Sequence, residues 1–200
     1  MNDIVNTIAA AWAVTTSLEI ISVIFGLIYV YLAARENIWC WPAALIGTGT
    51  AIYLFWDASL IMESALNVYY LAMAFFGWWQ WQYGSSNKNE LPISSWRPQH
   101  HIIALVIIAS LTIIFGYVLS SKTSAALPYV DSFTTWAAVV TTWMVARKVL
   151  ENWLYWMVIN PVSVWLFAER GLYLYALLFI AYSIRPIFGY IKWRRNFANQ

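Results

Sequence analysis

The chain has 200 residues, of which 62% are hydrophobic and 10% are charged, and its mean hydropathy is +0.63. Soluble domains carry about 25% charged residues, so this composition excludes a water-soluble globular protein. The net charge of +2 argues against binding to nucleic acid, and the single cysteine, Cys40, excludes an internal disulfide. The sequence predicts an all-α integral membrane protein, because it lacks the long alternating segments that build membrane barrels.

Seven apolar segments follow one another, each long enough to cross about 30 Å of hydrocarbon when slightly tilted. The predicted spans are residues 17–34, 39–56, 61–82, 102–119, 130–146, 152–167 and 171–191. Residues 1–16 are expected to form a short interfacial helix, and residues 84–99 form the long hydrophilic connection. Small residues at positions 47–50 of the second span (Gly-Thr-Gly-Thr) are expected to let a neighbouring helix approach closely.

Tryptophan is unusually frequent, with 14 in the chain. Anchoring at the membrane interface, where indoles collect, explains those near the ends of the spans. This group comprises Trp39, Trp41, Trp78, Trp79 and Trp193. It explains less well the tryptophans inside the spans, Trp136, Trp143 and Trp165.

The sixth span carries a polar group among aromatic ones. Trp153, Trp156 and Asn160 are spaced i, i+3 and i+7, so two indoles and one amide share a helix face. Pro161 removes a backbone N–H and favours a kink beside the amide. Aromatic walls, an amide and a local break indicate a pocket for a flat, polar ligand. The alternative is that the tryptophans anchor the helix at the interface while Asn160 bonds a neighbouring helix.

A similar stripe runs along the third span, where Asn67, Tyr70, Ala74, Gly77 and Trp81 follow at intervals of three and four. If the two stripes face each other, they form an aromatic cage with amide and hydroxyl groups in mid-membrane. Polar residues inside membrane helices indicate a functional site. The alternative is that the polar members only bond other helices.

The two halves of the chain are similar at an interval of 112 residues. Tyr70 then aligns with Tyr182, Trp81 with Trp193, and Glu19 with Asp131. The second and sixth spans are expected to need a local three-residue adjustment, which aligns Trp41 with Trp156. The pattern predicts a 3+1+3 parallel repeat, as in SWEET transporters: residues 1–83 and 129–200 form three-helix units, and 84–128 the linker with the fourth helix.

Loop charges predict the orientation in the membrane. On the side of the C-terminus lie Arg35, Lys88, Arg97, Arg147, Lys148, Lys192, Arg194 and Arg195, against Lys122 and Arg170 opposite. This bias places the C-terminus in the cytoplasm and the N-terminus outside. The outer face is then acidic and would attract a cation, although its carboxylates also suit helix caps, Asp131 in particular.

Catalytic and metal sites are not indicated. His100 and His101 are the two histidines, and adjacent residues of a helix do not face each other. The sequence has neither a phosphate loop nor a nucleophile elbow. We therefore expect no enzyme activity, no cofactor and no metal.

The stripes of the third and sixth spans resemble the bacterial PnuC vitamin transporters. The Trp-x-x-Trp-x-x-x-Asn pattern ending at Asn160 and the pair Asn67 and Tyr70 carry the resemblance, which extends from about residue 17 to residue 193. It implies a SWEET-like fold, association into trimers and a place in the bacterial inner membrane. It also implies facilitated diffusion of nicotinamide riboside, trapped inside by phosphorylation, with Trp153, Trp156, Asn160, Asn67 and Tyr70 as the substrate-binding residues.

Relatives in that family carry thiamine or riboflavin, so the vitamin stays open at this point. A substrate-binding membrane subunit that needs an ATPase partner is a further alternative. The chemistry of nicotinamide riboside fits the residues, because its flat pyridinium cation can stack on indoles. Its carboxamide and ribose hydroxyls suit an asparagine that donates and accepts.

Overall fold

The computed structural model describes residues 17–57, 61–85, 91–122, 127–169 and 173–200, so the expected interfacial helix at 1–16 lies outside the described residues. Seven α-helices lie within these ranges, and the described part of the chain contains no β-strand apart from one isolated bridge. We number them α1 (Ser17–Ala34), α2 (Cys40–Asp57), α3 (Ile61–Tyr83), α4 (Pro98–Lys122), α5 (Pro128–Ala146), α6 (Asn152–Glu169) and α7 (Tyr173–Ala198).

The helix ends agree with the predicted spans to within three residues except at two ends, where the helices extend further. Helix α4 begins four residues earlier than expected, at Pro98, because proline is well suited to the first helical position, where its missing N–H is not needed. Helix α7 continues to Ala198, past the predicted end at Ile191, because the fully buried Trp193 packs its last turns into the core. Hydropathy therefore located the apolar part of each helix and missed these polar extensions.

The helices pack as two units of three. In the first unit α1 contacts α2 and α2 contacts α3, and in the second unit α5 contacts α6 and α6 contacts α7. Helix α4 packs against α5. The two units meet through α1 against α7 and through α3 against α5. Since α1 corresponds to α5 and α3 to α7, these two contacts are related by an approximate twofold axis.

Two indole hydrogen bonds repeat this relationship in detail. Trp81 Nε1 donates to the carbonyl oxygen of Val145 at 3.2 Å, and Trp193 Nε1 donates to that of Ala33 at 3.1 Å. The two donors lie 112 residues apart in the sequence, and so do the two acceptors. The same interval separates Glu36 from Lys148. Each repeat therefore supplies the acceptor for the tryptophan of the other.

The expected three-residue adjustment of the second and sixth spans is wrong. Trp41 packs against Gly77 and Trp153 packs against Gly189, so the unadjusted interval relates Trp41 to Trp153 and not to Trp156. The ring of Trp41 lies 5.4 Å from that of Trp81 at 85°, and the ring of Trp153 lies 5.4 Å from that of Trp193 at 88°. One interval therefore holds through all three helices of the repeat.

The assignment of Trp41 and Trp193 as interface anchors is also wrong, because both are buried at 1% and 0% exposure. Trp143 and Trp165, which lie inside the spans and were not expected to be interface anchors, are instead 41% and 49% exposed. An indole near the end of an apolar run has the same sequence signature whether it faces lipid or the protein interior, so burial depends on the partner helix.

The small residues of α2 do allow a close approach, as expected. A Cβ on Gly47 would lie 3.4 Å from the backbone nitrogen of Gly26 in α1, and Ser22 donates from Oγ to the Gly47 carbonyl at 3.1 Å. Backbones therefore meet directly between α1 and α2. This contact defines the side of the first repeat that faces the centre of the molecule.

The described part of the α3–α4 connection is anchored beneath the second repeat. Ser94 exchanges backbone hydrogen bonds with Lys148 and Leu150 at 2.9 and 2.8 Å. Glu151 accepts from the Ser95 hydroxyl and from the Trp96 backbone N–H, at 2.5 and 3.2 Å. These bonds tie the connection to the turn between α5 and α6.

Candidate substrate site

A cavity of about 410 Å³ lies between the two repeats. Its wall includes all five residues predicted for the site: Asn67 and Tyr70 from α3, and Trp153, Trp156 and Asn160 from α6. The two polar and aromatic stripes identified in the sequence therefore face the same space. The volume lies within the range of small-molecule sites, about 300–1,000 Å³.

Four tryptophans close one end of the cavity, and we call them the floor cluster: Trp41, Trp81, Trp153 and Trp193. Trp41 and Trp153 line the cavity, and Trp81 and Trp193 stack behind them with their own rings 6.1 Å apart. All four are at most 3% exposed. Trp153 therefore forms part of the wall at the bottom of the cavity, and its ring is held edge-to-face against that of Trp193.

Trp156 lies above Trp153 on the same face of α6 and stays half-buried at the cavity wall. It packs against two groups of buried residues, one around the floor cluster and one formed by Ile108, Ala137 and Ile159. Its ring is thus held on both sides while part of it stays accessible. That is the environment of an aromatic wall that a flat ligand can contact.

Asn160 has both a structural contact and a place in the cavity wall. Its Nδ2 donates to the backbone carbonyl of Tyr182 in α7 at 2.9 Å. The carbonyl is available because its usual helical partner would be the N–H of residue 186, and Pro186 has none. The alternative interpretation, a bond between helices, is therefore correct for one N–H. The amide still has a second N–H and a carbonyl oxygen to offer a ligand.

The expected kink at Pro161 does not divide α6, which runs as one helix from Asn152 to Glu169. On α3, the tyrosine that bonds another helix is Tyr69, whose hydroxyl donates to the Val139 carbonyl of α5 at 2.8 Å. Tyr70, next in sequence, lines the cavity. The contact of Tyr69 fixes the rotation of α3 so that Asn67 and Tyr70 face inward.

Several residues of the cavity wall were missed by the sequence analysis: Tyr29, Trp41, Trp136, Tyr182 and Asp131. The unadjusted interval of 112 residues would have indicated two of them, since it pairs Trp41 with Trp153 and Tyr182 with Tyr70. Trp136 could have been suspected because anchoring explained it poorly. Its ring lies 4.8 Å from that of Phe115 in α4, so the linking helix also contributes to the wall.

The expectation that Asp131 caps α5 is wrong. The helix begins at Pro128 after Leu127, which has a left-handed backbone and makes no side-chain cap. Asp131 lies inside the first turn and lines the cavity. A carboxylate close to a helix start is favoured by the helix dipole without being the cap residue, and sequence alone does not separate the two positions.

The wall suits binding more than bond-breaking chemistry. Among the described residues, no group of three or more His, Cys, Asp or Glu side chains could hold a metal ion. The described wall combines indole and phenol rings with amides and small hydroxyl side chains. Such a surface can stack a planar ring and hydrogen-bond its polar substituents.

Comparison with known proteins identifies the family. A family profile described as nicotinamide mononucleotide transporter matches residues 16–195. The chain belongs to this family. The nicotinamide mononucleotide transporter family is one of membrane transporters, so the predictions of family and of transport without catalysis are confirmed. Membership also implies the bacterial inner membrane as the location.

Relatives differ in what their names record. The nicotinamide riboside transporter PnuC of Escherichia coli (strain K12) is 27% identical over 202 residues, which cover 88% of this chain and 84% of the relative. The riboflavin/roseoflavin transporter RibM of Streptomyces davaonensis is 21% identical over 179 residues, covering 88% and 83%. A crystal structure of the vitamin B3 transporter PnuC superposes with a TM-score of 0.75. It covers 98% of this chain and 88% of that one at 19% identity, which confirms the predicted fold.

Proposed function

We propose that this protein carries nicotinamide riboside across the bacterial inner membrane by facilitated diffusion, and that phosphorylation inside the cell traps the substrate. The observation that carries the proposal is the convergence of Asn67, Tyr70, Trp153, Trp156 and Asn160 on one cavity between the repeats. The names of three relatives from different bacteria, at 24–27% identity, support the choice of this vitamin.

The proposed binding mode assigns a role to each wall. The pyridinium ring stacks on Trp156, where stacking and cation–π attraction together contribute up to about 2 kcal/mol in a desolvated site. Trp153 supports the ring from the floor. Asn160 and Asn67 bond the carboxamide and the ribose hydroxyls, and Tyr70 adds a phenol hydroxyl.

The substrate assignment is tested by a titration of the purified protein with nicotinamide riboside, thiamine and riboflavin. We expect the tightest binding for nicotinamide riboside. Riboflavin is the second candidate because RibM is among the relatives. Preferential binding of riboflavin or thiamine would replace the proposed substrate while leaving the cavity as the site.

The mode of transport is tested with liposomes that contain this protein and nothing else. Radiolabelled nicotinamide riboside should equilibrate across the bilayer without ATP. A substrate-binding subunit that depends on an ATPase would bind the vitamin and leave the liposome interior empty. Trapping is tested separately, by enclosing a riboside kinase with ATP and measuring whether label accumulates beyond equilibrium.

We also propose that the C-terminus is cytoplasmic and the N-terminus outside, which the excess of Lys and Arg on the C-terminal side supports. Cys40 is the single cysteine and is buried, so the unsubstituted chain should react little with thiol reagents. An impermeant maleimide added to intact cells should label Lys122→Cys and spare Gln200→Cys, because both positions are exposed and lie on opposite sides. The reverse pattern would invert the proposed orientation.

Two organisational proposals complete this assignment. Residues 1–83 and 129–200 act as the two moving units and 84–128 as their linker, as the contacts between helices support. Three copies associate in the membrane, which the resemblance to PnuC transporters implies. Native mass spectrometry in mild detergent should therefore report a trimer, and a monomer under all conditions would remove that part of the proposal.

A further inference from the structure

Asp131 lies at the opposite end of the cavity from the floor cluster. Helix α5 contributes wall residues from Asp131 to Val145, and at 1.5 Å per residue these positions span about 21 Å of helix. Val145 belongs to the floor end, because its carbonyl accepts the hydrogen bond from Trp81. Asp131, in the first turn, therefore lies at the end of the cavity away from the floor cluster, where it is partly exposed, and we call this end the mouth.

Its charge is distinctive within the wall. Among the described lining residues Asp131 is the one carboxylate, and none of them is a lysine, an arginine or a histidine. A ligand approaching through the mouth thus passes a negative charge before it reaches the amides of Asn67 and Asn160.

Aromatic rings accompany this charge. Trp136, in the next turns of α5, packs at 4.8 Å against Phe115, and both line the cavity near its mouth. Indole and phenyl faces attract cations through their quadrupole. A cleft that combines one sign of charge with low-dielectric walls also raises the local concentration of the opposite charge. The carboxylate attracts only a cation, and the rings hold a cation more strongly than a neutral ligand of the same shape.

We propose that Asp131 is a specificity-determining residue that selects substrates carrying a fixed positive charge over neutral substrates of the same shape. This inference rests on the proposed function, since it concerns the choice of substrate for that cavity. It assigns to Asp131 a role in the access path that the five residues deeper in the cavity do not have.

The repeat provides a matched control. Glu19 lies in the first turn of α1, at the position related to Asp131 by the interval of 112 residues, and it is not among the described residues of the cavity wall. Glu19→Gln therefore removes the same charge from the corresponding turn of the other repeat without changing the wall. Asp131→Glu keeps the charge at the mouth and is the conservative variant.

The experiment compares nicotinamide riboside, a cation, with its 1,4-dihydro form, which is neutral and nearly the same in shape. Asp131→Asn should weaken binding of the cation by about tenfold and change binding of the dihydro form by less than about twofold. Glu19→Gln and Asp131→Glu should leave the preference for the cation intact. Equal losses for both ligands, or no loss for the cation, would overturn the inference.

Two further measurements keep the result decisive. If Asp131→Asn does not fold, as judged by its thermal unfolding midpoint, Asp131→Ser replaces it as the neutral variant. If wild-type protein binds neither riboside, the proposed function fails, and the charge inference is tested with thiamine, a cation, and riboflavin, which is neutral. Thiamine binding that is lost in Asp131→Asn supports the inference. Thiamine binding that is unchanged in Asp131→Asn, or riboflavin binding that falls by the same factor as thiamine binding, refutes it.

Discussion

Glu36 and Lys148 lie at the same position of the two repeats, 112 residues apart, and their side chains form an ion pair at 3.4 Å. Both have a left-handed backbone, with φ of 57° and 49°, in the turns that follow α1 and α5. Lys148 is 2% exposed and its Nζ lies 4.7 Å from the ring centre of Trp81. Asn196 donates to the second oxygen of Glu36 at 2.5 Å. The ion pair therefore joins the repeats beside the floor cluster.

Removing one partner should destabilise the protein strongly. Lys148→Met leaves the Glu36 carboxylate in a poorly hydrated site without its cation, and such losses cost about 3–5 kcal/mol. Thermal unfolding in detergent should show a clearly lowered midpoint. Arg147→Met is the control, because Arg147 is the exposed neighbour of Lys148.

The symmetry makes a stronger test of the same ion pair. The double variant Glu36→Lys with Lys148→Glu exchanges the charges between equivalent positions that share their backbone conformation. It should recover most of the stability that Lys148→Met loses. An exchanged variant no more stable than the single one would mean that the surroundings of the pair, and not the pair itself, determine the effect.

Two glycines are predicted to be essential for the floor cluster. A Cβ on Gly77 would overlap the ring of Trp41, and one on Gly189 would lie 2.7 Å from the ring of Trp153. Gly77→Ala and Gly189→Ala should each cost about 1–3 kcal/mol and reduce vitamin binding, because the floor must shift. Gly49→Ala is the control, since no atom lies within 4 Å of its added Cβ. Equal stability of all three variants would contradict the packing described for the floor.

The two roles of Asn160 can be separated by a second substitution. Asn160→Leu should abolish vitamin recognition and also leave the Tyr182 carbonyl without a donor, at about 1–3 kcal/mol. Adding Pro186→Ala restores the backbone N–H that can bond this carbonyl within α7. The double variant should therefore regain stability and still fail to bind. Regained binding would show that Asn160 acts only through α7.

Trp156 is predicted to contact the substrate directly. Trp156→Ala should weaken binding of nicotinamide riboside more than tenfold, since stacking and cation–π attraction contribute up to about 2 kcal/mol. Trp165→Ala is the matched control, because Trp165 is on the same helix and 49% exposed. Isothermal titration of both variants, checked for folding by their unfolding midpoints, measures the difference. Losses of the same size would indicate that Trp156 is only a packing residue.

Transport is predicted to be independent of proton and sodium gradients. A driven carrier usually binds its ion at ionisable groups within the spans, and Asp131 is the one described carboxylate of the wall, placed at the mouth. A cationic substrate is instead drawn inward by the membrane potential, at about 2.3 kcal/mol per 100 mV. Uptake into liposomes clamped at zero potential should stop at equilibrium with either gradient. Accumulation beyond equilibrium would make Asp131 the first candidate for coupling.

Much of the fold follows from local properties of the sequence. The far end of α1 agrees with prediction because the apolar run stops at Ala34, before the polar turn of Arg35 and Glu36. The far end of α7 could not be predicted in this way, because residues beyond Ile191 are helical through packing of Trp193 against the other repeat. Hydropathy reports what surrounds a helix and not where its hydrogen bonds end.

The same distinction separates the site residues that the sequence predicted from those that it missed. Asn67 and Asn160 were found because an amide on an apolar helix needs a partner or a ligand. Trp41 was missed because its position beside Gly77 depends on how α2 meets α3. Asp131 was assigned as a cap because the start of α5 depends on the left-handed Leu127, which has no sequence signal of its own.

The exchanged indole bonds of Trp81 and Trp193 bear on how this chain arose. A half-length polypeptide with one such unit would leave an indole donor and a carbonyl acceptor unpaired, and a second copy would supply both. Gene duplication would then have joined a homodimer into one chain. A homodimer must present identical residues on both sides of an asymmetric vitamin, whereas the joined chain carries Thr48 in one repeat where the other carries Asn160. Fusion thus allowed each half to adapt to a different end of its cargo.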